Sequence, residues 1–338
     1  MIGRARRART AVLVLFAVLA ATAQPADAYL KIGTRVGDRV ITLQWASLPV
    51  SYFVNDEGGA GITPDQFREA LDRAFRSWEG VETSRISFQF GGFTSARPLD
   101  EDGRSTIGFL DRPDLDRVLA STNFLVDTRT GDILESDIFF NTAFPWSTAQ
   151  AGTPGRHDVE SIALHEIGHF LGLGHSAIGE TELRPGGGRR VIAAESVMFP
   201  IAFSAGNITG RQLRPDDIAG ASDIYPTSDW RRTTGSIQGR VQRDGAGIFG
   251  AHVVAFDGRT GHLVGNFSLD DRGEFVISGL RPGPYIVRVE PLDDGDVESF
   301  FDRATNVTLD FRATFHERLV VVPRGGGSER IVIAVQRR

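Results

Sequence analysis

Residues His165-Glu166-Ile167-Gly168-His169-Phe170-Leu171-Gly172-Leu173-Gly174-His175 carry three histidines and a glutamate at a spacing that an α-helix turns into a zinc site. On a helix, His165 and His169 are four residues apart, so they sit about 40° apart in azimuth and roughly 6 Å apart in rise, and both imidazoles can reach one ion. Glu166 then lies beside the ligands rather than among them. Continuing the same helix would carry His175 roughly 9 Å beyond His169 and about 240° round from it, out of reach. The spacing therefore predicts a break, and Gly172 supplies the left-handed, helix-ending conformation that returns His175 to the metal. At this chain's composition, chance placement of the whole pattern has odds of about 1 in 10⁵. Upstream, Asp158 is a good N-cap before Val159. Val159, Ile162, Ala163 and Ile167 form an apolar stripe able to anchor the helix against a sheet.

Sequence beyond the third histidine gives this run a family resemblance. Ser176 follows His175, Ser196-Val197-Met198-Phe199-Pro200 is similar to a Met-turn, and Leu213-Arg214-Pro215-Asp216-Asp217-Ile218-Ala219-Gly220 through Tyr225 is similar to a closing helix. In that helix Pro215 suits the first turn and the Asp pair suits its positive end. Together these residues resemble the metzincin metallopeptidases, and within them the catalytic domain of the matrixins. The resemblance implies an α+β fold, a zincin-like domain with a twisted mixed sheet and three helices. It implies one catalytic Zn²⁺ held by His165, His169 and His175, with Met198 as an apolar floor beneath them. The implied activity is that of a zinc metalloendopeptidase acting on protein or peptide substrates. Three neutral imidazoles leave a fourth position for water, and Glu166 is the base that takes its proton and delivers it to the leaving amine.

Departures from the animal matrixins are also legible. Residues 90 to 150 contain no histidine, so the second, structural zinc of those enzymes is not expected. Asp127, Asp132 and Asp137 offer hard oxygen ligands for a calcium ion, or are turn and strand-end carboxylates in solvent. Pro200 is followed by Ile201-Ala202-Phe203 where the family has Pro-x-Tyr, which alters the expected S1′ pocket. A Gly- and Arg-rich loop, Arg184 to Arg190, separates His175 from the Met-turn and is expected to overhang the cleft or project into solvent.

The N-terminal half fits the same architecture. Trp45 to Asn55 reads as an opening strand. Thr63 reads as an N-cap, with Pro64 at the first helical position and Gln66 completing a capping box. Phe67, Leu71, Ala74, Phe75 and Trp78 fall on one helical face before Gly80. Ile86 to Phe90 and Thr106 to Leu110 are short strand candidates. Thr122 to Val126 and Ile133 to Phe140 are spaced for a hairpin around Arg129-Thr130-Gly131-Asp132. The resemblance implies a sheet edge that pairs with extended substrate, and Leu134 to Phe140 is the segment expected there.

The chain has 338 residues, 41% of them hydrophobic, enough for two domains behind an N-terminal segment. Residues 1–28 read as a secretory signal peptide, with Arg4, Arg6, Arg7 and Arg9 ahead of an apolar run from Ala11 to Ala21 and small residues at Ala26-Asp27-Ala28. No other run approaches membrane-spanning length, so the expected product is secreted, extracellular or periplasmic. Residues 29–228 are the expected peptidase domain. After a linker around Pro226 to Thr234, residues 229–338 read as an all-β sandwich of roughly seven strands: Ile237 to Val241, His252 to Phe256, Leu263 to Leu269, Glu274 to Ile277, Tyr285 to Glu290, Val307 to Phe311, Arg318 to Val322 and Ile331 to Val335 are the candidates. Its turns and core, including Gly279-Leu280-Arg281-Pro282-Gly283-Pro284-Tyr285, resemble the carboxypeptidase regulatory-like (transthyretin-like) module and identify no ligand. His252, His262 and His316 lack a ligand-like spacing, and His157 reads as a loop residue.

Cysteine is absent, which excludes disulfides, a lipidated cysteine and latency through a cysteine switch. Lys31 is the sole lysine against many arginines, a bias expected of a bacterium with a GC-rich genome. The net charge of −6 argues against a nucleic-acid partner. A second class of function fits the same residues: a catalytically silent metzincin scaffold acting as a secreted binding or adhesion protein through its β-sandwich.

Overall fold

A computed structural model describes residues 31–36, 39–185, 188–301 and 305–338. The expected signal peptide lies outside the described residues. A small hairpin, β1 (Gly33–Val36) with β2 (Arg39–Thr42), leads into β3 (Val50–Asn55), α1 (Pro64–Glu79), β4 (Phe88–Thr94), β5 (Thr106–Leu110), β6 (Ala120–Val126) and β7 (Ile133–Asn141). Helix α1 begins where its sequence says it should: the Thr63 hydroxyl accepts from the Gln66 backbone N–H and the Gln66 side chain accepts from Thr63 N–H. Its buried face of Phe67, Ala70, Leu71, Ala74, Phe75 and Trp78 is the one that helical spacing marks out.

The five strands form a mixed sheet in the order β4-β3-β5-β7-β6, parallel throughout except for the antiparallel β6–β7 pair. Strand β6, not the Leu134–Phe140 stretch, is therefore the edge; β7 lies inside the sheet between β5 and β6. The physical reason is visible in burial. Strand β6 alternates buried and half-buried residues as a one-sided edge strand does, whereas β7 is buried almost without interruption from Glu135 to Asn141. Glu135, Asp137 and Asn141 in it are hydrogen-bonded through their side chains. Asp137 accepts from Thr106 N–H at 2.7 Å and from Leu99 N–H at 2.6 Å, pinning the chain before β5 to the sheet.

Burial pushes the Asp137 carboxyl up to about 7, against the pull of those two donors. Its folded pKa thus lies above the unfolded value, so the fold favours the protonated form. This contribution to stability is full below about pH 4 and is lost as pH rises towards about 7. Denaturant midpoints measured across that window should fall with pH more steeply for the native chain than for Asp137→Asn. Equal slopes would show that Asp137 is ionised throughout.

The short strands β8 (Trp146–Ser147) and β9 (His157–Asp158) pair just before α2 (Val159–Phe170), so His157 is a half-buried strand residue rather than a loop residue. Asp158 caps α2 by accepting from Ser161 N–H, and Arg211 clamps the same carboxylate with two nitrogens. Val159, Ala163 and Ile167 are fully buried in the cluster that also holds the buried face of α1, and the Trp78 indole N–H donates to Leu164 O. After α2 come the hairpin β10 (Gly179–Leu183) with β11 (Arg189–Ala194), then α3 (Pro215–Ile224) and the four-residue α4 (Trp230–Thr233). Of the Arg184 to Arg190 stretch, Arg189 and Arg190 are strand residues paired with Leu183 and Glu182, and part of the stretch lies outside the described residues.

The remainder is strand: β12 (Gly235–Arg243), β13 (Ala246–Gly247), β14 (His252–Phe256), β15 (Leu263–Phe267), β16 (Glu274–Leu280), β17 (Gly283–Glu290), β18 (Thr314–Phe315), β19 (Val320–Val322) and β20 (Ile331–Ala334). One sheet runs β13-β12-β16 with β20 paired to β12; the other runs β15-β14-β17-β18 with β19 paired to β17. Inward residues of both, among them Ile237, Val241, Val253, Phe275, Ile277, Val287 and Val289, share one apolar cluster. Val307 to Phe311 forms no strand; its single bridge is Phe311 with Arg337. Helix α3 reaches both interiors. Ala219 joins the C-terminal cluster, while Ala221 and Ile224 join the cluster beneath α2.

Candidate metal centre

Helix α2 presents His165 and His169 one turn apart, with ring centroids 4.7 Å from each other. The helix then stops. Gly172 adopts φ 100°, its N–H donates to His169 O, and Leu173 N–H donates to Gly168 O. A side chain at this position would meet Leu43 O at 2.4 Å, so glycine is needed both for the turn and for the close passage of the chain. The last helical carbonyls are capped from a distance: the Trp45 indole donates to Phe170 O and the Tyr225 hydroxyl to Leu171 O. This turn brings the His175 ring to 4.7 Å from that of His169 and 5.4 Å from that of His165.

One nitrogen from each ring lies within 4.8 Å of the others, and no other such group of His, Cys, Asp or Glu occurs among the described residues. Each Nδ1 sits against a backbone carbonyl: His165 against Val197 O at 2.7 Å, His169 against Leu173 O at 2.8 Å and His175 against Ser299 O at 2.5 Å. A carbonyl can only accept, so this network assigns the proton of each neutral ring to Nδ1 and leaves the lone pair on Nε2. The 3.1 Å approach of His169 Nε2 to His175 Nε2 is then two acceptors aimed at one point, an arrangement that a shared cation relieves. Burial lowers the pKa of all three histidines, that of His175 to about 3, so the rings are neutral and able to ligate at physiological pH. The donor set fits zinc, three imidazoles being a known catalytic set.

Glu166 is buried beside the ligands and does not join them. Its Oε2 accepts from the Thr122 hydroxyl at 2.6 Å, and burial raises the carboxyl to about 7 against that bond. Thr122 stands on the edge strand β6, so the sheet edge and the carboxylate are directly joined.

Met198 is buried, its sulfur packed against the α2 backbone. A Cβ at Gly168 would lie 2.2 Å from Sδ. The turn bearing Met198 is held by Asp217, which accepts from Ser196 Oγ, Val197 N–H, Met198 N–H and, as part of its helix cap, Arg214 N–H. Asp216 accepts from Ser176 Oγ at 2.6 Å and from Gly265 N–H of β15 at 2.9 Å. The Asp pair therefore does more than complement a helix dipole. Asp127, Asp132 and Asp137 form no common ligand group; Asp127 and Asp132 bond within their own turn and Asp137 bonds to backbone N–H groups.

Residues 44–185 match the sequence profile of the Matrixin family. This segment is a matrixin domain. Metalloendoproteinase 1 of Glycine max is similar at 31% identity over 131 residues, which is 33% of this chain and 36% of the plant protein. Metalloendoproteinase 5-MMP of Arabidopsis thaliana is 40% identical over 68 residues, 20% of this chain and 14% of its own length. Stromelysin-1 of Mus musculus is 24% identical over 200 residues, covering 54% of this chain and 33% of the mouse protein. The chain thus spans about a third or less of the length of these relatives. Matrixins use a catalytic zinc, and the histidine cluster of this matrixin domain fits one. Among the described residues no helix is long and apolar enough to cross a membrane.

Three parts of the site were not expected from sequence: Thr122 on Glu166, the Asp216–Asp217 pair as a bracket, and Ser299 O on His175. Only the Asp pair left a signal, two adjacent carboxylates at a helix start.

Proposed function

We propose that the chain is a secreted zinc endopeptidase, with residues 1–28 as its signal peptide, 29–228 as the peptidase domain and 229–338 as a β-sandwich of the carboxypeptidase regulatory-like kind. The observation that carries the activity is the convergence of three Nε2 lone pairs beside a buried carboxylate that does not join them. His165, His169 and His175 would hold the zinc. When bound, the ion supplies Lewis acidity to a scissile carbonyl and lowers the pKa of water towards about 7.

The protein's own groups do the rest. Among the described residues strand β6 pairs only with β7, which leaves its outer edge for an extended peptide. Such main-chain pairing gives affinity with little demand on side chains. Water adds to the carbonyl carbon as Glu166 takes one of its protons; the C–N bond then breaks and the same proton passes to the leaving nitrogen. Thr122 holds one carboxylate oxygen, so the other is the one aimed at the water. Met198 and Gly168 keep the helix seated on the turn that gives His165 its acceptor.

The zinc-loaded full chain is expected to cleave an unstructured protein such as casein, to stop on chelation and to recover on zinc addition. No cleavage by a folded chain carrying one equivalent of zinc would overturn the proposal.

A further inference from the structure

The acceptors for His165 and His169 come from the histidines' own half of the molecule, Val197 and Leu173; the acceptor for His175 comes from 124 residues away. Between β17 and β18 the chain leaves the C-terminal sheets and runs across to the metal side. Its first tie is at Asp294, which receives Thr181 N–H at 2.8 Å on its carboxylate and the Thr181 hydroxyl at 2.8 Å on its carbonyl. Its second is Phe300 and Phe301, both essentially fully buried in a cluster with Ala177, Phe267, Leu269 and Leu292. Phe300 also stands edge-on to the His175 ring, with centroids 6.2 Å apart.

Between these anchors lies a single 3₁₀ turn, Val297–Ser299, whose backbone bonds use Val297 O and Asp296 O and, among the described residues, give Ser299 O no backbone donor. That carbonyl is the one that faces His175 Nδ1. Next to it, Ser176 is tied through Asp216 to Gly265 of the same C-terminal sheet, so two successive residues of the metal segment lean on the C-terminal half.

We infer that the C-terminal β-region is part of the metal centre: the strap 294–301 positions the third ligand by offering Ser299 O to His175 Nδ1–H. The inference rests on the zinc reading of the histidine cluster. Ser299 and Phe300 are positioning residues, since neither reaches the metal or a substrate. An imidazole whose Nδ1–H is held by a carbonyl has its tautomer fixed and its ring angle set, and loss of such a partner typically weakens metal binding about 10- to 100-fold.

The test uses the full chain and measures zinc dissociation by competition with a chromophoric chelator, the visible absorption of the cobalt-substituted protein, and the imidazole N–H proton resonances of the zinc form. Asp294→Ala and Phe300→Ala are each expected to weaken zinc about 10- to 100-fold, to change the cobalt bands and to lose one of three protected imidazole N–H signals. Phe300→Leu, which keeps an apolar anchor, should restore most of the affinity. Should Phe300→Ala not fold, Asp294→Ala carries the same comparison with far less buried volume removed.

Folded variants that hold zinc as tightly as the native chain, with unchanged cobalt bands and all three N–H signals, would overturn the inference. So would faster peptide cleavage at unchanged zinc affinity, because the strap would then be a cover over the cleft rather than a support. If the native chain itself takes up no zinc, the functional reading falls and this inference with it. If the native chain takes up zinc and the variants match it, this inference alone fails.

Discussion

Glu166→Ala should reduce peptide cleavage on the order of 10³-fold while the chain still binds one zinc, because a positioned general base accounts for roughly 10²- to 10⁴-fold of such a rate. The two effects separate for a structural reason. Glu166 touches Thr122 and not the Nε2 cluster, so its loss leaves the three ligand rings and their carbonyl partners in place. Folding should also be preserved. Burial raises this carboxyl to about 7, so the fold spends stability to keep a charge there and loses little when it is removed. Initial rates on casein alongside metal analysis of the same sample decide the matter. Native-like cleavage by the zinc-loaded variant would remove Glu166 from the chemistry.

Asp217→Ala should be the most destabilising single change near the site, by about 4 kcal/mol, with a fall in Tm of roughly 10 °C. The buried carboxylate serves four donors, three of them backbone N–H groups at Val197, Met198 and Arg214. Alanine takes the acceptor from Val197 N–H, Arg214 N–H and the Ser196 hydroxyl, while Met198 N–H keeps Ser196 Oγ at 3.1 Å; each donor left buried and unpaired costs about 1–3 kcal/mol. Burial raises the pKa of Asp217, which marks its charge as costly, yet the orphaned donors cost more than the charge does. The damage extends to the ligands, since Val197 also supplies the carbonyl that faces His165 Nδ1. Asp217→Asn keeps one acceptor oxygen and should lose about half as much. Thermal unfolding of the metal-free proteins measures this directly; a Tm within a degree or two of the native value for Asp217→Ala would show that the turn holds itself.

Much of the fold around the histidines could be read because the determining contacts are local. The capping box at Thr63 and Gln66, the Asp158 cap and the break at Gly172 each involve residues within four positions of one another, and the buried stripe of α1 recurs at steps of no more than three. The convergence of His165, His169 and His175 follows from that same local geometry.

What escaped was set by distance along the chain. Placing Leu134–Phe140 at the edge instead of β6 followed the resemblance, and the burial of Glu135, Ser136 and Asp137 that puts β7 inside the sheet is not written in their letters. Strand order depends on which strands meet, information that alternation within a strand does not contain. Val307 to Phe311 alternates like a strand and yet finds no partner to pair along its length. Ser299 O is a backbone atom, so no residue type could have announced it.

Helix α3 has one further consequence. With Ala219 lodged in one interior and Ala221 and Ile224 in another, ten residues serve as a wall common to two rooms. A swivel of one half against the other within this helix would open one of those rooms to water. Helix α3 thus resists use as a pivot between the two halves.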